Sequence, residues 1–530
     1  MTTRRDFIKT ASLAASAVML TANKAWAIPR TSSSFSLNDF ITNHPDAVFI
    51  LSTSVDAKSN ATAIRSAGEQ LGQTLFVPKE DGVGAFPLGT NVVFKPNMTS
   101  WAWDKAPIEE IMGIQTDPNF VEGLINALGS VGVTNKKVFI REANYTSGNA
   151  DGKWYSDLAL RTGIDLRNFD TVSKLSPADV QWTDVPGGVW YTKIPYLAPV
   201  NSPGSCLINV AKFKSHSMGM TLCSKNLQGT NARPYVAHCT GWGLTMSGVD
   251  LKNVATNAND TIKANYERHK AAGIPRWDLP GTSSGGLWME THHSRMLDNN
   301  SVLQPLINII EGIYGREGPF VSGPDDNNGY GRDMMTNVVI FGKNARHVDL
   351  IGTYLAGHEP GNFGMFHIAR ERGLSNYLNP RDVPVYEWKL DGSATLTPLD
   401  NFPKAKIRTL YLQKAGEAKY HMVDEPYDYS GATAVSTPKP TSPDVFSISQ
   451  NFPNPFNPST SIQYYIPRSG NVRLEVFDVR GQIVDLLVDG FVPAGDHLAV
   501  WRSERCASGT YFYRMLYNGV AQTKSMVLLR

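Results

Sequence analysis

Strand-like and helix-like segments alternate through most of this 530-residue chain, and that alternation restricts the possible folds more than any other feature. Short apolar runs predict strands, and the amphipathic runs between them predict helices. The predicted strands are Asp46–Ser52, Asn91–Lys95, Lys137–Arg141, Cys206–Val210, Leu306–Ile310 and Asn337–Phe341, and the predicted helices are Thr62–Leu71, Asn119–Leu128, Trp154–Arg161, Leu222–Leu227 and His347–Leu355. This order favours an α/β fold, with a mainly parallel sheet and helices on both of its faces.

Two segments of this body depart from the alternation. Val180–Leu197 has the pattern of a β-hairpin that turns at Pro186-Gly187-Gly188. Thr240–Leu297 is aromatic, polar and weakly periodic, which predicts a long loop-rich insertion over one end of the sheet. Ligand sites of such sheets lie at that kind of edge.

The composition excludes several classes of protein. A hydrophobic content of 42% with 18% charged residues is not that of a disordered chain. A net charge of +2 provides no bulk field for nucleic acid. Beyond the N-terminus no apolar run reaches the ~20 residues of a membrane helix, which predicts no integral membrane segment in the mature protein. Four cysteines in the whole chain exclude a disulfide scaffold.

The first residues predict an export signal. Arg4 and Arg5 precede Phe7 and a short Ala-rich apolar stretch, and Ala25 and Ala27 fit a small-residue cleavage site. The segment 1–27 resembles the twin-arginine (Tat) signal, which implies export of a folded protein into the periplasm by the Tat translocase. A Sec signal with two chance arginines is the alternative.

The C-terminal part of the chain has a different character. Residues 431–444 are rich in Ser, Thr, Pro and Ala and predict a linker between the body, 28–430, and a last domain, 445–530. Alternating runs in that domain predict a small all-β sandwich. Its predicted strands are Ser461–Ile466, Asn471–Val479, Asp496–Trp501, Gly509–Leu516 and Thr523–Leu529.

The motifs of the last domain are Asn454-Pro455-Phe456-Asn457-Pro458, Val476–Gly481, Pro493-Ala494-Gly495, Ala507–Tyr513 and Lys524–Leu529. Together they resemble the type A sorting domain of the type IX secretion (Por) system. The resemblance implies passage through the outer membrane by the type IX secretion machinery, attachment to surface lipopolysaccharide, and a cell-surface or extracellular location. A β-module that only binds is the alternative.

Four motifs of the body occur in a recognisable order, namely Val93–Asn97, Ile208–Gly229, Ile309–Pro319 and Asn344–Asp349. Across roughly 47–377 they are similar to the domain of unknown function 362 family. This chain has Glu311 where that family usually carries Asp, and it lacks the cysteine-rich ferredoxin segment of some relatives. The resemblance implies a fold and a pocket but no particular reaction.

Four basic residues, Lys95, Lys214, His216 and Lys225, each lie near the end of an apolar strand or in the turn that follows it. Because the carboxyl ends of parallel strands meet at one edge of a sheet, we expect them to converge on an anion such as phosphate or carboxylate. Mutual repulsion would lower their pKa values, so they are also the candidate catalytic residues. Scattered surface lysines and one structural histidine are the alternative.

Other residues could complete this pocket. The ligand-binding candidates are Asn97, Asn226, Gly229, Glu311 and Asp349, which provide amides, a backbone donor and carboxylates. Either carboxylate could pair with a lysine or hold a divalent metal, and a structural ion pair is the alternative reading.

A metal set is conceivable among Cys206, His216, Cys223, His238 and Cys239. The chain has no Cys-x-x-Cys pair and only three cysteines in its body, which does not support an iron–sulfur cluster held by four thiolates. Buried, inert cysteines are the alternative. The cofactor therefore stays open. Asp325–Gly329 resembles a calcium loop without the EF-hand spacing, or a plain acidic turn.

The sequence predicts an exported cell-surface protein whose Lys/His-lined pocket takes an anionic or metal-associated ligand. Either an enzyme acting on that ligand or a non-catalytic surface binding protein for an anionic or carbohydrate ligand fits these residues. The chain has no Walker loop, His-Glu-x-x-His helix or Gly-x-Gly-x-x-Gly, so hydrolases of the His-Glu-x-x-His type, nucleotidases and nicotinamide enzymes lack support.

Overall fold

A computed structural model of the protein describes residues 33–80, 84–98, 112–143, 152–167, 175–232, 258–280, 285–430, 446–448, 451, 454–466, 470–492, 495–503, 506–517 and 520–529. The chain divides into two compact units, residues 1–433 and 434–530. The predicted signal, including Arg4, Arg5 and Ala27, and nearly all of the predicted linker lie outside the described residues.

The first unit alternates strands and helices. Its strands are β1 (Ser34–Leu37), β2 (Val48–Ser52), β3 (Phe76–Lys79), β4 (Phe86–Pro87), β5 (Val92–Pro96), β6 (Val138–Arg141), β7 (Asp165–Arg167), β8 (Val180–Asp184), β9 (Lys193–Leu197), β10 (Cys206–His216), β11 (Gly219–Thr221), β12 (Ile307–Ser322), β13 (Tyr330–Gly342), β14 (Val385–Trp388) and β15 (Ala394–Leu396). Its helices are α1 (Asp39–Asn43), α2 (Ala61–Leu75), α3 (Pro118–Ser130), α4 (Gly152–Thr162), α5 (Cys223–Asn226), α6 (Ala258–Ala271), α7 (Gly285–Val302), α8 (Ala345–Leu355) and α9 (Gly364–Glu371).

Ten strands form one mixed sheet in the order β15-β14-β2-β13-β12-β10-β5-β6-β7, with β11 paired to β10. The run β12-β10-β5-β6-β7 is parallel throughout. Side chains of each strand alternate between two cores: Phe49 and Leu51 of β2 lie in one, and Val48 and Ile50 in the other. Helices α2 and α3 pack on the first face and α8 on the second. The predicted α/β fold with helices on both faces is confirmed.

The strongest departure from a parallel sheet is a long antiparallel hairpin. The predicted strands Leu306–Ile310 and Asn337–Phe341 belong to β12 and β13, which pair antiparallel. The pairing runs from Asn308 opposite Gly342 to Ser322 opposite Tyr330. The turn between them contains the short helix Asp325–Asn327 and Asn328 with φ of 54°. Of the two interpretations of this segment, the plain acidic turn agrees with the structure.

The predicted loop-rich insertion is wrong for its second half. Residues 258–271 and 285–302 form helices α6 and α7, and α7 is buried along most of its length. The signal was weak because α7 buries polar side chains (His292, His293, Arg295 and Asp298) as well as apolar ones such as Trp288 and Met296, so a clear apolar stripe is missing. Residues 233–257 lie outside the description.

The predicted hairpin is confirmed, since β8 and β9 pair antiparallel, with Val180 opposite Leu197 and Asp184 opposite Lys193. In the described parts of the chain no helix is long and apolar enough to cross a membrane.

The second unit consists of β-strands. They are β16 (Ser447–Ile448), β17 (Ser459–Ile466), β18 (Gly470–Phe477), β19 (Ile483–Val492), β20 (Gly495–Arg502), β21 (Gly509–Tyr517) and β22 (Val520–Leu528). One sheet has the order β16-β17-β20 and the other β19-β18-β21-β22. Both sheets contribute to one core, in which Trp501 lies edge-on to Tyr511 with 5.2 Å between ring centroids. The predicted small all-β sandwich agrees with this arrangement, with β16 and β19 as additional strands.

Candidate functional site

The candidate site lies where β5 and β6 reach their carboxyl ends beside β10 and β12. Asn209 in β10 is opposite Lys95 in β5 on one side and Asn308 in β12 on the other. Three residues further along β10, Lys212 is opposite Glu311. The parallel register therefore places charged and amide side chains from different parts of the chain side by side.

Lys95 is fully buried, and its ammonium group donates to three acceptors of the protein. Its Nζ donates to Glu142 Oε2 at 2.5 Å, to Asn226 Oδ1 at 2.9 Å and to the Pro96 carbonyl at 2.7 Å. Burial is the main influence on its pKa and lowers it, with Lys225 adding to the effect and Glu142 opposing it. Lys95 therefore belongs to an internal ion pair.

A ladder of amides fixes this pair across three strands. Asn226 donates to the Lys95 carbonyl and to Asn209 Oδ1, both at 2.8 Å. Asn209 donates in turn to Asn308 Oδ1 at 2.8 Å, and Asn308 to the Lys343 carbonyl at 2.8 Å. Because each buried amide has its donors and acceptors matched, the ladder holds Asn226 in one orientation beneath Lys95.

Gly229 lies directly against the ion pair. A β-carbon at this position would contact both carboxylate oxygens of Glu142 and would approach Lys95 Cε to 2.5 Å. Only glycine therefore allows the segment Leu227–Thr230 to pass this close. Asn97, at the end of β5, has a buried Oδ1 without a hydrogen-bond partner among the described residues.

Lys214 is also engaged by the protein. Its Nζ donates to the Ile114 carbonyl at 2.6 Å and to the Pro319 carbonyl at 3.1 Å, and the Phe320 ring lies 5.7 Å from it. The residue is 1% exposed. These contacts tie Lys214 to the short helix Met112–Ile114 and to β12, so it does not offer the open cation that its position in the sequence suggested.

Glu311 pairs with a lysine that the sequence analysis did not select. Lys212 Nζ donates to Glu311 Oε2 at 2.6 Å and lies 3.4 Å from the centre of the Tyr314 ring. Tyr314 donates to Asp117 at 2.7 Å. Burial raises the pKa of Glu311, while Lys212 opposes the shift. Of the two uses foreseen for Glu311, the structure shows the structural ion pair.

Asp349 belongs to α8, and its carboxylate caps the first turn of the neighbouring helix α5. Its two carboxylate oxygens accept the backbone N–H groups of Cys223 at 2.7 Å and Ser224 at 2.8 Å, the first residues of α5. Burial raises the pKa of Asp349 to about 6, against the effect of these hydrogen bonds. The backbone donors expected near Leu222 for an external anion are therefore used by an internal one.

His216 and Lys225 come together with His292. Burial, then the charges of Lys225, His292 and Lys214, hold the pKa of His216 well below its ordinary value. Burial and then Lys225 act in the same direction on the pKa of His292. The Met218 N–H donates to His216 Nδ1 at 3.3 Å, so the neutral ring carries its hydrogen on Nε2. Of the four predicted basic residues, Lys225 links Lys95 with His216 electrostatically.

Lys225 is only half-buried, and its ammonium has no hydrogen-bond or ion-pair partner in the described part of the chain. The next residue on this side, His292, stacks on Trp288 at 5.4 Å, and its neighbour His293 stacks on Trp277 at 5.8 Å. Both nitrogens of each imidazole lack partners among the described residues. Burial and the charge of His269 lower the pKa of His293 to about 3.

A small cavity opens beside these residues. The space available to a water molecule's centre is about 20 Å³, and methionine side chains make up much of the wall: Met218, Met220, Met296 and Met365. His293 and Lys225 also line it.

The proposed thiol ligands do not form a metal centre in the described residues. Cys206 and Cys223 are buried, and burial raises the pKa of Cys206 to about 12 and that of Cys223 well above its usual value. Described His, Cys, Asp and Glu residues include no group of three or more that could hold a metal ion. His238 and Cys239 lie outside the described residues. Inert buried thiols are the reading that Cys206 and Cys223 support.

Sequence reasoning missed Glu142 and Lys212. Glu142 follows β6 directly, which is the same kind of position that selected Lys95, so the rule applied to carboxylates would have found it. Lys212 lies inside β10, where alternation with Ala211 and Phe213 suggests an outward side chain, and only the pairing with β12 shows its buried partner.

Residues 92–354 match the family model described as Domain of unknown function (DUF362). The matched segment begins in β5 and ends in α8, so it contains the residues described above for the candidate site except Met365 of the cavity wall. Over this segment the chain is similar to that family, as the motifs indicated. No curated protein matches the chain.

Proposed function

We propose that the protein binds a small anionic ligand at Lys225, beside His216 and His292. The observation that carries this proposal is the half-buried ammonium of Lys225, which has no partner among the described residues and acts electrostatically on both histidines. The other two predicted lysines, Lys95 and Lys214, have internal acceptors. Lys225 is thus the group at this edge of the sheet whose charge an external anion can balance.

The neighbouring imidazoles suit this role. With its pKa lowered, His216 is neutral near pH 7 and offers its Nε2 hydrogen as a donor. An anion on Lys225 would thus meet one cation and neutral donors, with Lys95 and Lys214 in fixed positions behind them. A fixed arrangement of donors favours binding because little ordering accompanies it.

An enzymatic use of the same site is the second candidate. The lowered pKa of Lys95 favours it, because an amine with a lowered pKa can take part in proton transfer. Turnover of a bound anion that disappears in Lys95→Met/Glu142→Leu, which leaves no unpaired buried charge, with binding retained, would distinguish this function from simple binding.

The direct test uses the purified full-length protein with orthophosphate and acetate as probes in isothermal titration calorimetry. Lys225→Gln should weaken binding by about 1.5–3 kcal/mol, the scale of a charge-assisted hydrogen bond. Lys389→Gln, which removes an exposed lysine of the same unit, is the matched control and should bind as the parent does. Equal binding by both variants, or no binding of either probe to the parent, would exclude this site.

We also propose that the protein reaches the cell surface by Tat export followed by type IX secretion. The support is the Arg4-Arg5 motif and the sorting-domain motifs between Asn454 and Leu529. Replacing both arginines by lysine should leave the protein in the cytoplasm, because the Tat signal depends on its arginine pair, whereas a Sec signal tolerates lysine there. Fractionation measures this, and undiminished export would favour a Sec signal. A chain that ends at Ser430 should reach the periplasm and stay there.

A further inference from the structure

We propose that the methionine-lined cavity is a binding site for a soft monovalent metal ion of the Cu(I) type, held by thioether sulfurs and the His293 imidazole. The proposal does not rest on anion binding, although Lys225 lines this cavity as well. It starts from the chemistry of the cavity wall, where Met218, Met220, Met296 and Met365 meet His293.

The ligand set comes from three separate parts of the chain. Met218 and Met220 belong to the β10–β11 turn and β11, His293 and Met296 to α7, and Met365 to α9. His293 and Met296 are three residues apart, so they share one face of α7. Strand, turn and two helices thus bring four methionines to the wall of a cavity of about 20 Å³, which is enough for one small ion.

His293 provides the independent sign of a ligand. Its side chain is 1% exposed, and neither ring nitrogen has a hydrogen-bond partner among the described residues. A buried imidazole with both nitrogens unsatisfied is costly, so such a group requires an explanation. Stacking on Trp277 fixes the plane of the ring, which pre-orients a nitrogen ligand.

The donor types decide which metal the cavity would select. Thioether sulfur is a soft, neutral ligand that prefers Cu(I) and contributes little to zinc, magnesium or calcium sites. Asp349 also lines the cavity, but both of its oxygens accept backbone N–H groups of α5. Lys225 would repel a cation, so Lys225→Gln should bind the ion at least as tightly as the parent.

The experiment is a competition for Cu(I) between the full-length protein and the chromophoric chelator bicinchoninate under anaerobic conditions, repeated with Ag(I) as an air-stable probe. The parent should take up one ion. Met220→Leu/Met296→Leu, which conserves volume and should fold, is expected to lose affinity by about tenfold or more, as disturbed metal sites do. Met515→Leu, in the core of the sandwich, is the matched control and should not change the affinity.

A second measurement identifies the ligands. In protein labelled with ¹³C at the methionine methyl groups, Ag(I) should shift the resonances of Met218, Met220, Met296 and Met365 among the 15 methionines, as leucine variants assign them. The proposal is overturned if the parent takes up neither ion. It is equally overturned if the double variant binds like Met515→Leu, or if Ag(I) shifts only other methionines.

Discussion

Lys95 Nζ and Glu142 Oε2 lie 2.5 Å apart in the interior, with the lysine side chain fully buried and the glutamate side chain 4% exposed. The two residues end neighbouring parallel strands, and Gly229 covers the pair so closely that no β-carbon fits. This ion pair is the centre around which the amide ladder and the Lys225 side of the site are arranged.

Removing one partner of this pair should be far more harmful than removing both. Glu142→Gln leaves the ammonium of Lys95 buried without a counter-ion and is expected to lower the free energy of unfolding by about 3–5 kcal/mol. Lys95→Met/Glu142→Leu should lose much less, because no uncompensated charge remains. Urea denaturation of the four species in a double-mutant cycle measures the coupling.

The exposed pair Arg381–Asp400 provides the comparison, since its side chains are 47% and 59% exposed. Asp400→Asn should change the free energy of unfolding by no more than about 1 kcal/mol. A loss from Glu142→Gln as small as that from Asp400→Asn would show that the Lys95–Glu142 pair is hydrated in solution.

Gly229→Ala should disturb the same pair by steric contact alone. The added methyl group would meet the Glu142 carboxylate and Lys95 Cε, and forced contacts of this kind cost about 1–3 kcal/mol. Gly129→Ala, where a β-carbon meets nothing within 4 Å, should be neutral or slightly stabilising. Thermal unfolding of both variants tests the close approach, and equal midpoints would contradict it.

The sequence indicated where Lys95 and Lys214 lie, since both were placed near carboxyl ends of strands, but it could not indicate their state. The counter-ion of Lys95 is 47 residues away in the chain, and Lys214 is held by two backbone carbonyls. Backbone acceptors leave no mark in residue types, so no motif reveals them. Lys225 differs because its position in the half-exposed end of α5 leaves its ammonium without such acceptors among the described residues.

The fold was predictable where local patterns are strong. The predicted helix His347–Leu355 lies within α8, whose apolar face packs on the sheet. Helix α7 was not predictable because many of its buried side chains are polar and find their partners at long range: Asp298 accepts the backbone N–H groups of Trp190 and Tyr191. Periodicity reports burial of apolar residues only, so a polar helix in the interior escapes it.

Acid should destabilise the first unit, because several of its histidines are buried in the neutral form. His347 is one of these histidines and can be tested by itself. Burial, and then Arg346, lower the pKa of His347 to about 3. The unfolded chain takes up this proton below about pH 6.5. Between about pH 6.5 and 3 the unfolded state therefore binds more protons, and stability falls as the pH falls.

His347→Asn should reduce this pH dependence by up to about 1.4 kcal/mol per pH unit inside that window. Asparagine keeps an N–H donor near the Asp46 carbonyl that His347 Nδ1 contacts at 3.1 Å. The measurement is the free energy of unfolding in urea from pH 4 to 8. His44→Asn, at the half-buried end of α1, is the control, and an unchanged slope in His347→Asn relative to it would show that His347 titrates normally.

Ending the chain after Ser430 should leave the stability of the first unit unchanged within about 0.5 kcal/mol, the level at which independent sites add. The reason is that each unit has its own core. Phe446, Trp501 and Tyr513 belong to the core of the sandwich, and the cores of the first unit contain no residue of the sandwich. Trp501 is the only tryptophan after residue 434, so the truncation also removes a single, identifiable fluorescence contribution.

Ending the chain after Asn401 is the matched control. It removes Ile407, Tyr411, Leu412 and Val423, all fully buried against α8 and its neighbours, and should prevent folding of the first unit. The measurement for both truncations is the urea midpoint of far-ultraviolet circular dichroism. If the chain ending at Ser430 unfolds at a clearly lower midpoint than the parent's first unit, the cores are coupled and the boundary between the units is wrong.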